Sequence, residues 1–250
     1  MTALTTRDLD GIHNFRALAP YPLKGGGHVR PGMVYRSGAL ELMTDADCAY
    51  LSGEARISLV LDLRHPDEWG AVPVDHALRD RVAPLSLFPE THSVEGLIAE
   101  LNGLYGTGPS PERYLHYLQV GGARFAQAFD TLSRAESYPV LVHCTAGKDR
   151  TGVLLGLLMD LLGAHDEDIA KEYGLSDDSI PRLIAYLQAT GRVLEGTREE
   201  IVVRLSTPPE RMAGFITLMR EKYGDAEQYL RGQGVSTAAL SRVRETLTER

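Results

Sequence analysis

Between Pro139 and Gly163 the chain changes periodicity within a few residues. Pro139-Val-Leu-Val-His143 is a very short run, apolar up to His143, the pattern of a strand buried on both faces. Val153 to Leu162 is a longer apolar stretch closed by Gly163. It has the length of a buried core helix and is too short to span a bilayer. A strand that passes through a tight loop into a buried helix has to lie in a sheet with the helix packed back on it.

The rest of the first two-thirds repeats this alternation. Met33-Val34-Tyr35 reads as a short strand ending at Arg36-Ser37, and Thr44 as the N-cap of a helix that Gly53 ends. Ile57 to Leu63 is a second buried strand, bringing Asp62 and Arg64 to its C-terminal end, and Arg81 to Leu87 is a third. A helix is expected over Val94 to Leu104, another from Glu112 to Ala135 broken at Gly121-Gly122, and one from Arg150 to Leu162. Beyond that the chain reads as entirely helical, with Thr207-Pro208-Pro209-Glu210 as a Thr-capped start. The expected fold is α/β: a central, mostly parallel sheet flanked by helices, with a helical C-terminal third and one domain over residues 1–250. Residues 91–113 read equally as a lid or as a surface excursion.

The joining loop is His143-Cys144-Thr145-Ala146-Gly147-Lys148-Asp149-Arg150-Thr151-Gly152. Between the strand end and the helix start, the N–H groups of Thr145, Ala146, Gly147, Lys148, Asp149 and Arg150 can curl into a nest for a tetrahedral anion. Gly147 supplies the positive φ of a sharp curl. A cysteine at a helix N-terminus beside a guanidinium becomes a thiolate near neutral pH, which makes Cys144 a candidate nucleophile for phosphorus. The planar fork of Arg150 suits two phosphate oxygens. Thr151 can donate to the sulfur as it leaves, and His143 can orient the loop through backbone contacts. The expected route is a cysteinyl-phosphate that water then hydrolyses.

The first step needs an acid for the leaving oxygen. Asp149 inside the loop is the first candidate, Glu90 after Phe88-Pro89 the second, and Asp62 the third. Arg16, Arg36 and Arg64 stand open between structural ion pairing and lining the pocket. Asp177-Asp178 reads as a helix start.

The decapeptide resembles the signature of cysteine-based protein tyrosine phosphatases, Cys-x5-Arg-Thr preceded by His. The run Ala-Gly-Lys-Asp-Arg-Thr-Gly is similar to that of a bacterial and fungal group that includes mycobacterial protein tyrosine phosphatase B. Asn14-Phe15-Arg16, Tyr35-Arg36-Ser37, Asp62-Leu63-Arg64 and the segment from Tyr173 to Asp178-Ser179 extend the resemblance over nearly the whole chain. It implies hydrolysis of phosphotyrosine, with phosphoserine, phosphothreonine and phosphoinositides as further substrates. It also allows Asp177-Asp178 to brace the anion loop. Lys148 resembles the lysine in the loop of the lipid phosphatase phosphatase and tensin homologue. The mobile Trp-Pro-Asp loop of many tyrosine phosphatases is absent in its usual form, since Gly70-Ala71 follow Trp69, the one tryptophan. Glu90 stands where the family group places an aspartate.

Two competing functions use similar parts: a sulfurtransferase, and a phosphate-binding module without catalysis. The Arg-Thr pair and the preceding His favour the phosphatase over the first, and the presence of both Cys144 and Arg150 favours it over the second. A net charge of −8 argues against a nucleic-acid partner. The two cysteines, Cys48 and Cys144, are neither a disulfide framework nor a zinc set, and no metal or organic cofactor is implied. Cys48 has no nest around it and reads as core. Residues 1–9 do not read as a signal peptide and no run has the length of a transmembrane segment, so a cytoplasmic location is expected, with non-classical secretion left open.

Overall fold

The computed structural model describes residues 8–69, 77–88 and 93–250. Its strands are β1 (Arg16–Ala17), β2 (His28–Val29), β3 (Val34–Ser37), β4 (Leu59–Asp62), β5 (Val82–Pro84), β6 (Val140–His143) and β7 (Thr248–Glu249). Five of them form one sheet in the order β1-β3-β6-β4-β5. The pairings among β3, β6, β4 and β5 are all parallel, and β1 joins the β3 edge antiparallel. The central strand β6 is buried along its whole length, as its apolar sequence requires. Its register sets Ser37, His143 and Asp62 abreast. Three strands therefore end at one edge of the sheet, the usual place for a ligand in an open α/β sheet.

The helices are α1 (Asp45–Ala49), α2 (Val94–Tyr105), α3 (Pro111–Val120), α4 (Gly122–Leu132), α5 (Asp149–Leu162), α6 (Asp166–Gly174), α7 (Ile180–Ala189), α8 (Arg198–Leu205), α9 (Pro209–Tyr223), α10 (Ala226–Gly232) and α11 (Thr237–Leu247). α5 is apolar on nearly every side because it is surrounded: it packs on β6, α3, α6, α9, α10 and α11. Gly163 ends it in the left-handed conformation. Thr44 caps α1 and shares a capping box with Asp47. The largest apolar cluster runs from Leu18 to Leu247, so the C-terminal helices share a core with the sheet. Cys48 lies in a second cluster, on the other face of the sheet, with Leu51, Ile57 and Leu141.

Two expectations need correction. The C-terminus is not helical to its end, because Thr248–Glu249 pairs antiparallel with His28–Val29. Thr207 does not cap α9; its hydroxyl and its N–H both go to Asp177, at 2.6 Å for the hydroxyl, which ties this turn to the segment after α6. Asp177 is spent on that tie rather than on the anion loop.

Candidate active site

The loop between β6 and α5 is held from outside by its carbonyl groups. Asn14 Nδ2 donates to the carbonyl oxygens of Ala146 at 3.0 Å and Gly147 at 2.9 Å. Arg36 Nη2 also donates to Gly147. The Thr145 carbonyl accepts from the Ala39 N–H at 3.1 Å and from His13 Nε2 at 3.1 Å. In a trans peptide the N–H points opposite to the C=O. Anchoring the carbonyls of Thr145, Ala146 and Gly147 outward therefore turns the N–H groups of Ala146, Gly147 and Lys148 to the inner side of the loop, an anion nest. Gly147 has φ +66°, and a Cβ there would lie 2.1 Å from the Ser37 carbonyl oxygen. Only glycine fits both constraints.

Behind the loop sits a buried charge cluster. Glu172 on α6 accepts from Arg16 Nε at 2.9 Å and Arg36 Nη1 at 2.5 Å. Burial pushes the Glu172 carboxyl up, but the two guanidiniums outweigh it and hold the pKa below the usual range. Arg16 and Arg36 are thus bracing residues with almost no exposure, and do not line the cleft. Burial lowers His13 to about 4, so it bonds the loop as neutral imidazole.

Arg150 is aimed by a residue that sequence reasoning missed. Glu68, in a one-turn helix over Pro66–Glu68, accepts from Arg150 Nη2 at 2.8 Å through Oε1 and from Nη1 through Oε2. Its Oε1 also accepts from Thr145 Oγ1 at 2.6 Å, and Oε2 from the His65 N–H at 3.0 Å. Burial raises the Glu68 carboxyl, but Arg150, Thr145 and the His65 N–H bring it down to about 2. Burial likewise opposes the Arg150 charge, and Glu68 overcomes it, with the Cys144 sulfur adding in the same direction. Glu68 uses one hydrogen on each terminal nitrogen. The Nε–H and the outer hydrogens remain, apart from a long 3.4 Å contact of Nη2 with Thr145 Oγ1. The Phe88 ring lies 5.8 Å from the guanidinium carbon. The sequence signal for Glu68 was its position a few residues after Asp62, which ends β4, the strand beside β6.

Asp149 opens α5 and accepts from the Tyr114 hydroxyl at 2.5 Å. Tyr114 is 2.7 Å from the Tyr173 hydroxyl, which accepts from Arg211 Nη1 at 3.2 Å. One consistent chain of donors runs Arg211, Tyr173, Tyr114, Asp149. Burial raises Tyr114 well above the usual phenol range, with the Asp149 charge adding to it. Lys148 is buried, with Nζ on the Leu205 carbonyl at 2.8 Å and 3.7 Å from Asp149.

The other candidates fall around this centre. Cys144 is buried at the start of the loop. Thr151 Oγ1 is buried and makes no hydrogen bond among the described residues, the Cys144 sulfur included. His143 Nδ1 lies 3.4 Å from the Cys144 carbonyl and Nε2 lies 3.6 Å from Asp62. Asp62 is held by Arg64 at 2.7 Å, and Arg64 is shared with Glu41. Burial raises the Asp62 carboxyl, but His143 and Arg64 hold it below the usual range. Asp62 is therefore a brace on His143, tied down away from a leaving group. Glu90 lies outside the described residues. In the segment expected as a lid or excursion, α2 contributes Val94, Leu97, Ile98 and Leu101 to a pocket of about 180 Å³ with Phe88, Tyr117 and Arg150. A wider cleft of about 560 Å³ opens beside it, reaching Thr145, Ala146, Lys148 and Asp149. Among the described residues no cluster of His, Cys, Asp or Glu is arranged to hold a metal, and no helix is long and apolar enough to cross a membrane.

An anion nest under an aimed arginine, at the carboxyl edge of a parallel sheet, is an arrangement suited to holding a phosphoryl group. Residues 7–249 match the model of the tyrosine phosphatase family, and the chain belongs to that family. It is 29% identical to the triple specificity protein phosphatase PtpB of Mycobacterium tuberculosis, over 98% of this chain and 99% of that one. It is also 29% identical to a tyrosine-protein phosphatase of Nostoc commune, over 85% of this chain and 73% of that one. Among solved structures, the core catalytic domain of the PP-IP phosphatase SIW14 from S. cerevisiae has a TM-score of 0.39 and 16% identity, covering 63% of this chain and 78% of that chain.

Proposed function

We propose that this phosphatase hydrolyses phosphotyrosine in two covalent steps. Cys144 attacks phosphorus and Arg150 holds two equatorial oxygens, with the N–H groups from Thr145 to Arg150 taking the developing charge. Asp149 protonates the leaving tyrosyl oxygen. The cysteinyl-phosphate is then hydrolysed, with the unengaged Thr151 hydroxyl available to the departing sulfur. The observation that carries the reading is the outward anchoring of the loop carbonyls, which leaves the N–H groups and the Glu68-held guanidinium free for one tetrahedral anion. The aromatic and apolar walls beside Arg150, Phe88, Tyr117, Leu97 and Leu101, suit an aryl ring.

A wider range, covering phosphoserine and phosphothreonine, is the second reading, favoured by the likeness to a relative described as a triple specificity phosphatase. Phosphoinositide hydrolysis is the weaker extension, since Lys148, its main support, is engaged at Leu205. The whole of residues 1–250 is read as one cytoplasmic domain that works without metal or organic cofactor.

The test is turnover of phosphotyrosine peptide, phosphoserine peptide and a phosphoinositide panel in chelator, with wild type and Cys144→Ser. Phosphotyrosine turnover by wild type alone supports the reading. Binding without turnover would favour the phosphate-binding module, and a metal requirement would sink the mechanism.

A further inference from the structure

The wider cleft beside the phosphate loop carries an excess of positive charge. Arg113, Lys148, Arg192 and Arg204 line it, and Asp149 is the one carboxylate facing them among the described residues. This concentration runs against a chain whose net charge is −8. It also differs from the other buried guanidiniums near the site. Arg16, Arg36, Arg64 and Arg150 each hold a carboxylate. Arg113 is only 7% exposed, yet its Nη1 donates to neutral oxygens, Asn102 Oδ1 at 2.9 Å and the Gly108 carbonyl at 3.3 Å. No ion pair forms at Arg113, Arg192 or Arg204 among the described residues. A buried guanidinium without a counter-charge is costly, and an incoming anion relieves that cost.

Arg113 also lies on the boundary between the two chambers, lining the small pocket with Arg150 as well as the wider cleft. An anion bound there sits next to the phosphate rather than in it. The walls between the cations are apolar: Ile98, Leu183, Leu187 and Leu205. A compact polyphosphate, polar on every edge, would leave those walls unused. An acidic peptide with apolar side chains between its carboxylates would cover them.

We infer that this cleft binds the acidic flank of a phosphotyrosine peptide, with Arg113 taking the carboxylate nearest the phosphotyrosine and Arg192 and Arg204 taking further ones. The inference rests on the phosphotyrosine reading and adds the substrate's sequence preference to it.

Three substrates separate the two claims: a phosphotyrosine peptide flanked by Glu, the same peptide flanked by Gln, and p-nitrophenyl phosphate. For wild type the Glu peptide should exceed the Gln peptide in kcat/KM by about tenfold or more, mostly through KM, as charge-assisted bonds would give. The ratio is read within each variant, so any loss common to both peptides cancels. It should shrink several-fold in the exposed double variant Arg192→Ala/Arg204→Ala and approach unity in Arg113→Gln. Equal rates on the two peptides in wild type, or a ratio that survives in both variants, would overturn the inference while leaving p-nitrophenyl phosphate turnover intact. Absence of p-nitrophenyl phosphate turnover would instead remove the phosphatase reading and this inference with it.

Discussion

Glu68 and Arg150 meet at two points, each carboxylate oxygen taking one terminal nitrogen, so the guanidinium plane is set before any phosphate arrives. A clamp that needs no reorientation loses little entropy on closing over the anion. Glu68→Gln keeps the shape and removes the charge. We expect kcat/KM on phosphotyrosine to fall about tenfold to a hundredfold. Stability should drop by up to about 3 kcal/mol, because one partner of a buried pair is left behind. Steady-state kinetics and urea unfolding check the two effects separately.

Gly147→Ala tests the loop backbone. The new methyl would meet the Ser37 carbonyl oxygen at 2.1 Å, in a conformation with φ +66°. The loop must shift, and its N–H groups with it. Activity should fall by about a hundredfold or more, while far-UV circular dichroism stays that of a folded chain. Retention of wild-type activity would mean the N–H nest is not what holds the phosphate.

How the candidate acid was found, and how its neighbours were missed, shows what the sequence exposes. Cys144, Gly147, Asp149 and Arg150 lie on one contiguous loop whose spacing carries its own chemistry, and the strand and helix on either side were legible from periodicity. Glu68, Tyr114 and the adjacent pair Glu172-Tyr173 reach the loop from three separate segments. Which distant carboxylate or hydroxyl faces a loop depends on strand order and helix packing, which local patterns do not encode. Arg16 and Arg36 were visible as cations, but only the placement of α6 decides that Glu172 is their partner. The C-terminal strand was hidden because a two-residue pairing has no periodicity to read.

Asp149 and its tyrosine chain give a leaving-group signature. Asp149→Asn should cost about a hundredfold or more on phosphotyrosine, whose leaving oxygen needs a proton. The loss should be much smaller on p-nitrophenyl phosphate, whose leaving group departs as an anion. Tyr114→Phe should shift rates in the same sense by a smaller factor, because Tyr114 only orients the carboxyl. Equal losses on both substrates would return the acid's role to another residue, Glu90 first.

His13 makes stability depend on pH. Its imidazole has a pKa of about 4 in the fold against about 6.5 unfolded. Between those values the unfolded chain binds a proton that the folded chain does not. The stability contribution is therefore complete above pH 6.5 and is lost as pH falls toward 4, by at most about 3 kcal/mol. Urea midpoints at pH 7 and pH 4.5 measure the loss in wild type. In His13→Gln that part of the pH dependence should disappear, leaving the part due to the carboxylates.

The covalent step is the centre of the account. Wild-type enzyme mixed with excess aryl phosphate, quenched in acid within the first turnovers and mapped by peptide mass spectrometry, should carry a phosphoryl group on Cys144. The same experiment on Cys144→Ser should show no phosphocysteine and no turnover. Steady product formation with no phosphoryl group trapped on Cys144, or turnover that survives Cys144→Ser, would contradict the mechanism.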